Sequence, residues 1–273
     1  MKKFRKSTIL YSLWWCVILI SSYAKAQAYF QQEVNYTIKV KLDDKHHELQ
    51  AFESFEYVNN APHVLNEIYV HLWPNAYVDN NTALAKQLLE ERNTDLYYAE
   101  EKERGYIDSL DFRTEGKKLS WKYHPTHKDI CIITLEKGLN TGEKINITTP
   151  FHVKIPSSDF SRLGHTEQAY QITQWYPKPA VYDKDGWHEM PYLNQGEFYS
   201  EFGSFDVEIT LPENYVVGAT GDLQTASEMK WLDKKAQKTA LTLEFYGNMK
   251  FPASSKKMKT IRLIIQLTNL LTL

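Results

Sequence analysis

Apolar and polar positions alternate with a period of two along much of this chain, the signature of strands with one wet face. From Val34 to Leu42 the apolar set is Val34, Tyr36, Ile38, Val40 and Leu42, with Asn35, Thr37, Lys39 and Lys41 between them. Phe205, Val207, Ile209 and Leu211 repeat the scheme against Asp206, Glu208 and Thr210, and Leu241, Leu243 and Phe245 do so again. Weaker alternation predicts strands over 49–58, 68–72, 107–112, 130–135, 144–153 and 215–219. Turn residues separate these runs: Asp43-Asp44, Asn59-Asn60-Ala61-Pro62, Asn140-Thr141-Gly142 and Pro212-Glu213-Asn214. One segment breaks the scheme. Residues 82–92 read as a helix capped by Asn81 or Thr82, with Leu84, Leu88 and Leu89 on one side. The elements predict an all-β fold: an antiparallel saddle-shaped sheet or sandwich with a short helical insertion.

Residues 156–203 do not alternate. They are rich in Tyr, Trp, Pro and Gly, a composition that favours an ordered loop held by aromatic packing. Long loops inside compact domains are commonly functional, and a packed corner without a ligand is the competing reading.

The first 28 residues read as an address. Lys2, Lys3, Arg5 and Lys6 precede an apolar run from Ile9 to Ile20, and Ala24-Lys25-Ala26-Gln27-Ala28 offers two overlapping A-x-A cleavage sites. An uncleaved membrane anchor is the alternative, but the run falls short of the ~20 residues a spanning helix needs. Export to the periplasm or the medium is therefore expected. Cys16 follows Leu13-Trp14-Trp15, too bulky a context for a lipoprotein site. Cleavage after Ala28 removes five basic side chains, taking Lys and Arg from 32 to 27 against 34 acids, a net charge of about −7. A chain of that sign is a poor partner for nucleic acid or anionic lipid. Only Cys131 then remains, so stability must come from the core rather than from a disulfide.

Candidate chemistry is sparse. His46-His47-Glu48 lies at a turn and His124-x-x-His127 spans a proline turn, spacings that hold zinc only with further ligands from elsewhere. His188-Glu189 begins like H-E-x-x-H, but the fifth residue is Tyr192, and Pro191 breaks the helix that would bring two imidazoles to one face. No G-x-S-x-G elbow or Gly-rich phosphate loop occurs, and Cys131 sits in an apolar run, where a cysteine behaves as a small core residue. Glu197 and Glu201 could act as an acid and base pair on paper, though a solvated face is the default for such residues.

Four segments in order carry a family likeness: Tyr36–Asp43, His71–Tyr77, Thr149–Pro156 and Gln171–Gly221. The last contains Gln-Ile-Thr-Gln-Trp-Tyr-Pro-Lys-Pro-Ala-Val-Tyr-Asp, Gly-Trp-His and Gly-Glu-Phe-Tyr-Ser-Glu-Phe-Gly-Ser-Phe-Asp-Val. Over roughly residues 29–246 the chain resembles the N-terminal domain of aminopeptidase N-like zinc metallopeptidases, gluzincins, in the secreted branch common in Bacteroidetes-like bacteria. The resemblance implies a saddle-shaped β domain at 29–258 that packs on a thermolysin-like peptidase domain. That partner would carry H-E-x-x-H, a second glutamate ligand, a Gly-x-Met-x-Asn motif and a transition-state tyrosine. None of these is in the sequence, since Gly247-Asn248-Met249-Lys250-Phe251 has Phe251 where the motif needs Asn. No cofactor is expected in this chain, zinc belonging to full-length relatives, and no activity is expected of it alone.

The resemblance also implies a substrate role. An N-terminal-domain Gln or Glu accepts hydrogen bonds from the peptide's free α-ammonium, which fixes the N-terminus for cleavage of one residue at a time. Gln171 and Gln174 are the nearest candidates, and a glutamine holding loop backbone is the bland alternative for each. Beyond Arg262 the chain departs from the family: 259–273 reads as an atypical apolar tail, expected from a truncated or frameshifted frame, with a closing strand as the alternative. It is too short to span a bilayer. A function of another class also fits: a free-standing module binding glycans or peptides on Trp73, Trp175 and Trp187.

Overall fold

The computed structural model describes residues 29–196, 198–240 and 255–266. The chain divides into two units, Met1–Phe30 and Gln31–Leu273, and the sheets described below belong to the second. The expected export signal, residues 1–28, lies outside the described residues, as do the alternation at 241–245 and the Gly247–Phe251 motif.

Two sheets form the body. Strands β1 (Glu33–Asp43) and β2 (Glu48–Val58) make a hairpin in continuous register, from Glu33 opposite Val58 to Asp43 opposite Glu48. Strand β3 (Leu65–His71) crosses to the second sheet, helix α1 spans Ala83–Glu90, and β4 (Ile130–Leu139) and β5 (Lys144–Lys154) follow. After the aromatic loop come β6 (Lys178–Pro179), β7 (Ser204–Pro212), α2 (Ala226–Ala240) and β8 (Met258–Gln266). The main sheet runs β8-β7-β1-β2-β5, and short strands extend both edges. Its pairs are antiparallel except β1 with β7, which run parallel, Tyr36 lying opposite Phe205. The second sheet is β6-β3-β4 plus Ser120–Tyr123. The result is the expected all-β sandwich with a short helical insertion.

Alternation explains the layers. Inward residues of the main sheet, such as Ile38, Phe55, Ile147 and Val153, meet Ile68, Val70, Cys131 and Ile133 of the second sheet in one core. Each large side chain buried this way contributes ~1.5–3 kcal/mol before entropy is counted. A second cluster gathers Trp73, Tyr77, Leu84, Leu88 and Tyr192 beneath α1. Thr82 caps α1: its hydroxyl accepts from the Ala85 amide at 3.2 Å and donates to the Ala76 carbonyl at 2.7 Å. Leu84 and Leu88 enter the cluster, whereas Leu89 is exposed.

Two expectations change, and one alternative is taken. The strand expected over 107–112 stops at Asp108, because Ser109 turns into the left-handed region at φ 61°. Residues 215–219 form no strand; Tyr215 instead donates its hydroxyl to Asp44 Oδ2 at 2.9 Å and packs on the core. Within the expected apolar tail, residues 258–266 form β8, the closing strand of the alternative reading, in register with β7 from Ser204 opposite Gln266 to Pro212 opposite Met258. Ile261 and Leu263 point inward while Thr260 and Arg262 stay exposed, and the Arg262 guanidinium pairs with Asp206. Residues 267–273 lie outside the described residues. Among the described residues no helix is long and apolar enough to cross a membrane.

Gly203 docks the end of the aromatic loop on β1. The Val34 amide donates to the Phe202 carbonyl at 2.9 Å, and a Cβ on Gly203 would overlap the Val34 carbonyl.

Candidate functional site

The aromatic loop closes over the end of β3. There β6 pairs antiparallel with β3, placing Lys178 opposite His71 and Pro179 opposite Val70. Pro177 and Pro179 flank the lysine, which is tolerated because β6 is an edge strand. Lys178 is only 4% exposed. Its ammonium donates to Gln174 Oε1 at 2.7 Å and to Ser200 Oγ at 2.9 Å, and lies 4.0 Å from the centre of a Trp73 ring. An ammonium has three donors. Two oxygens and one indole face satisfy it without a carboxylate. Burial pushes the Lys178 pKa down to about 7.

Gln174 reaches this position because its backbone is left-handed, at φ 52°, a conformation that costs a non-glycine residue of order 1 kcal/mol. That turn folds the chain back so that residues four apart meet. Trp73, 2% exposed, is fixed by its Nε1–H donating to the Met190 carbonyl at 3.2 Å and by Tyr192 and Phe198 packed on it. His71 stacks on Trp73 with ring centres 4.4 Å apart. Its two ring nitrogens are buried, with the His188 backbone as their hydrogen-bonding neighbour. Burial, and then the Lys178 charge, hold its pKa well below the usual value, so the ring is neutral. Asp129 anchors the loop by accepting from the Tyr192 amide at 2.7 Å; burial lifts its carboxyl to about 6.

The two glutamines chosen from sequence part company. Gln174 belongs to the cage around Lys178. Gln171 ends the second strand of the 164–171 hairpin, pairs through its backbone with Gly164, and is exposed. Sequence reasoning missed Lys178, His71 and Ser200. The available signal was a lysine set between two prolines inside an aromatic stretch, where a solvated side chain is out of place.

The other candidates are held by neighbours. His46 Nδ1 lies 2.8 Å from Asp43 Oδ2, and His47 stacks on His165 at 3.6 Å and meets the Tyr170 hydroxyl at 2.9 Å. His124 and His127 stack on each other, with His124 Nδ1 at 3.2 Å from the Thr126 hydroxyl. His188 sits in the loop after the two-residue strand Gly186–Trp187, not on a helix, with Nε2 2.8 Å from Asp183 Oδ1. Among the described residues no three His, Cys, Asp or Glu side chains are grouped to hold a metal ion. Glu197 lies outside the described residues. Glu201 accepts from the Tyr182 amide at 3.0 Å, and burial raises its carboxyl to about 7. Cys131 is fully buried, and burial drives its thiol pKa far up. Trp73 is too deeply buried to be a stacking platform, and Trp175 and Trp187 pack against the main core. An apolar cleft of about 900 Å³ lies between the β1-β7 face and Tyr170, Trp175 and Tyr215.

No family model matches the sequence, and no curated protein matches it. Solved structures similar to the chain include M1 zinc metallopeptidases. One from Deinococcus radiodurans shares 12% identity at a TM-score of 0.40, over 86% of this chain and 39% of that one. A mutant of the Deinococcus radiodurans enzyme bound to a Tyr-Ser-Ala substrate gives 11% and 0.42, with the same coverage of each chain. A two-domain M1 mutant bound to L-arginine gives 12% and 0.41, again over 86% and 39%. The chain thus spans about two fifths of the length of these structures.

Proposed function

We propose that this chain is the non-catalytic N-terminal domain of an exported zinc aminopeptidase-like protein, one that packs on a peptidase domain and orients the amino end of a peptide. The four family-like segments support the reading, and the structure puts them in one body: on β1, at the end of β3, on β5, and through the aromatic loop into β7. One observation carries the orienting role. The Gln174 carboxamide oxygen is turned inward and accepts a hydrogen bond from a primary ammonium, that of Lys178. An amide oxygen placed in this way discriminates a charged amine from a capped one by losing a charge-assisted bond of ~1.5–3 kcal/mol. Gln171, three residues earlier and exposed, is the second candidate acceptor.

Binding to the mature chain tests this. A tripeptide with a free amino terminus should bind, its N-acetylated form should not, and neither should be hydrolysed. Equal binding of the two peptides would remove the orienting role. One zinc per chain together with turnover of an aminoacyl nitroanilide would remove the non-catalytic assignment.

A further inference from the structure

The 164–171 hairpin is a two-stranded unit of its own, with His165 opposite Tyr170, and it enters the ladder of neither large sheet. Side chains fasten it to the turn between β1 and β2, residues 44–47. His165 stacks on His47 with ring centres 3.6 Å apart and planes within 10° of parallel. The Tyr170 hydroxyl lies 2.9 Å from His47 Nδ1 and donates to the Asp44 carbonyl at 3.3 Å. Tyr215 donates to Asp44 Oδ2, so the chain after β7 is tied to the same turn. Ala169, Tyr170 and Tyr215 wall the apolar cleft of about 900 Å³. Both imidazoles are held in place: His47 sits at a left-handed φ of 56°, and the His165 amide donates to the Pro156 carbonyl at 3.0 Å.

Two neutral imidazoles stack readily, whereas two imidazolium rings at this distance repel. The surrounding charges do little to relieve that repulsion. Next to His47 along the chain are Asp43, Asp44, Lys45 and His46; β5 contributes Lys154, and the hairpin contributes His165 and Tyr170. Asp43 is engaged by His46 at 2.8 Å, and Asp44 by Tyr215. The Lys154 ammonium donates to the His46 carbonyl, which adds a positive charge beside the pair. His165 Nδ1 lies 3.2 Å from the Glu167 carbonyl, which can only accept, so the neutral ring carries its proton there. Burial, then the His165 and Lys154 charges, hold the His47 pKa below its ordinary value against the pull of Asp44 and Asp43, and burial chiefly lowers that of His165. The fastened hairpin therefore binds fewer protons than a released one below pH ~6.5, and its advantage shrinks as the pH falls.

We propose that the stacked His47 and His165 rings are a pH-sensitive latch, which clasps the 164–171 hairpin to the β1–β2 turn at neutral pH and releases it in mild acid, opening one wall of the apolar cleft. The latch does not depend on the proposed function, since it uses neither Gln174 nor a peptide.

Hydrogen exchange of the mature chain at pH 7.5 and 5.5, each corrected for the intrinsic pH dependence of exchange, tests the latch. Peptides covering 164–171 should exchange about tenfold faster at pH 5.5, the gain for one excluded proton over the unit below pH ~6.5. Peptides from β2 and β5 should keep their protection. His165→Phe keeps a ring in the stack that takes no proton, and there the pH response of the hairpin should largely disappear. No response in the wild type, an equal response in the variant, or loss of β2 and β5 protection together with the hairpin would overturn the proposal. Should His165→Phe fail to fold, the wild-type imidazole resonances decide: both rings should titrate below ~6.5, and either one titrating at or above that value would show a stack that accepts the proton and releases nothing.

Discussion

Replacing Glu53 by glutamine should stabilise this protein at neutral pH and leave it nearly unchanged at pH 4. Glu53 lies mid-strand on β2, opposite Ile38 and Thr149, on the inward face. It is 0% exposed, and neither carboxyl oxygen has a hydrogen-bond partner among the described residues. Burial raises its pKa well above the ordinary 4.5, so the folded chain carries it protonated. The folded pKa exceeds the unfolded one. Below pH 4.5 both states hold the proton and the residue imposes no ionisation penalty. Above it the unfolded chain ionises while the folded chain does not, and stability falls by about 1.4 kcal/mol per pH unit until the folded pKa is reached. The loss accumulates at that slope up to the folded pKa, and even one pH unit of it is a sizeable share of the ~5–15 kcal/mol that a domain has in total. Glutamine has nearly the same shape and no ionisation, so the difference between the two proteins isolates this linkage. Urea unfolding of both at pH 4 and pH 7.5 measures it. A stability difference that does not change between the two pH values would refute the reasoning.

Three further outcomes are expected. Gly203→Ala should cost several kcal/mol in urea unfolding, since its Cβ meets the Val34 backbone rather than a side chain that can move; a loss below about 0.5 kcal/mol would show that the loop end is not tightly docked. Asn59→Ala should cost about 2–4 kcal/mol, because the buried amide donates to the His63 and Leu139 carbonyls and accepts from the Ala61 amide and from Gln32; thermal melting against the wild type decides it. Cys131, buried and with its thiol pKa pushed up, should not react with a disulfide reagent in native buffer and should react fully in denaturant; fast native labelling would contradict the packing of β4.

Much of the sandwich could be read from the sequence because its strands each keep one dry face. The β1 and β5 patterns survive intact, on β2 Phe52 is exposed and Glu53 buried against the pattern, β7 keeps most of its length half-buried, and Thr82 caps α1 as its chemistry suggests. β8 was obscured because Ile264 is apolar on the half-buried side, so that 263–265 reads as a greasy run instead of an alternation. α2 escaped notice although Ala, Lys, Glu and Gln dominate it; its pattern is weak and its signal is propensity alone. The site was half visible. Gln174 stood out through the family likeness, but its partner did not, because nothing local announces that a lysine will be buried. That outcome depends on the left-handed turn at Gln174 and on the pairing of β6 with β3, both set by tertiary packing.

The central claim is that the Gln174 carboxamide is an ammonium acceptor on a domain that does not itself cleave peptides. Its most direct test is the side-chain amide resonance of Gln174 in mature Lys178→Ala chain, followed during titration with a free-amine tripeptide and with its acetylated twin. The account predicts a saturable shift with the first, none with the second, and both peptides intact at the end. A Gln174 signal indifferent to the free amine, or cleaved peptide in the tube, would contradict it.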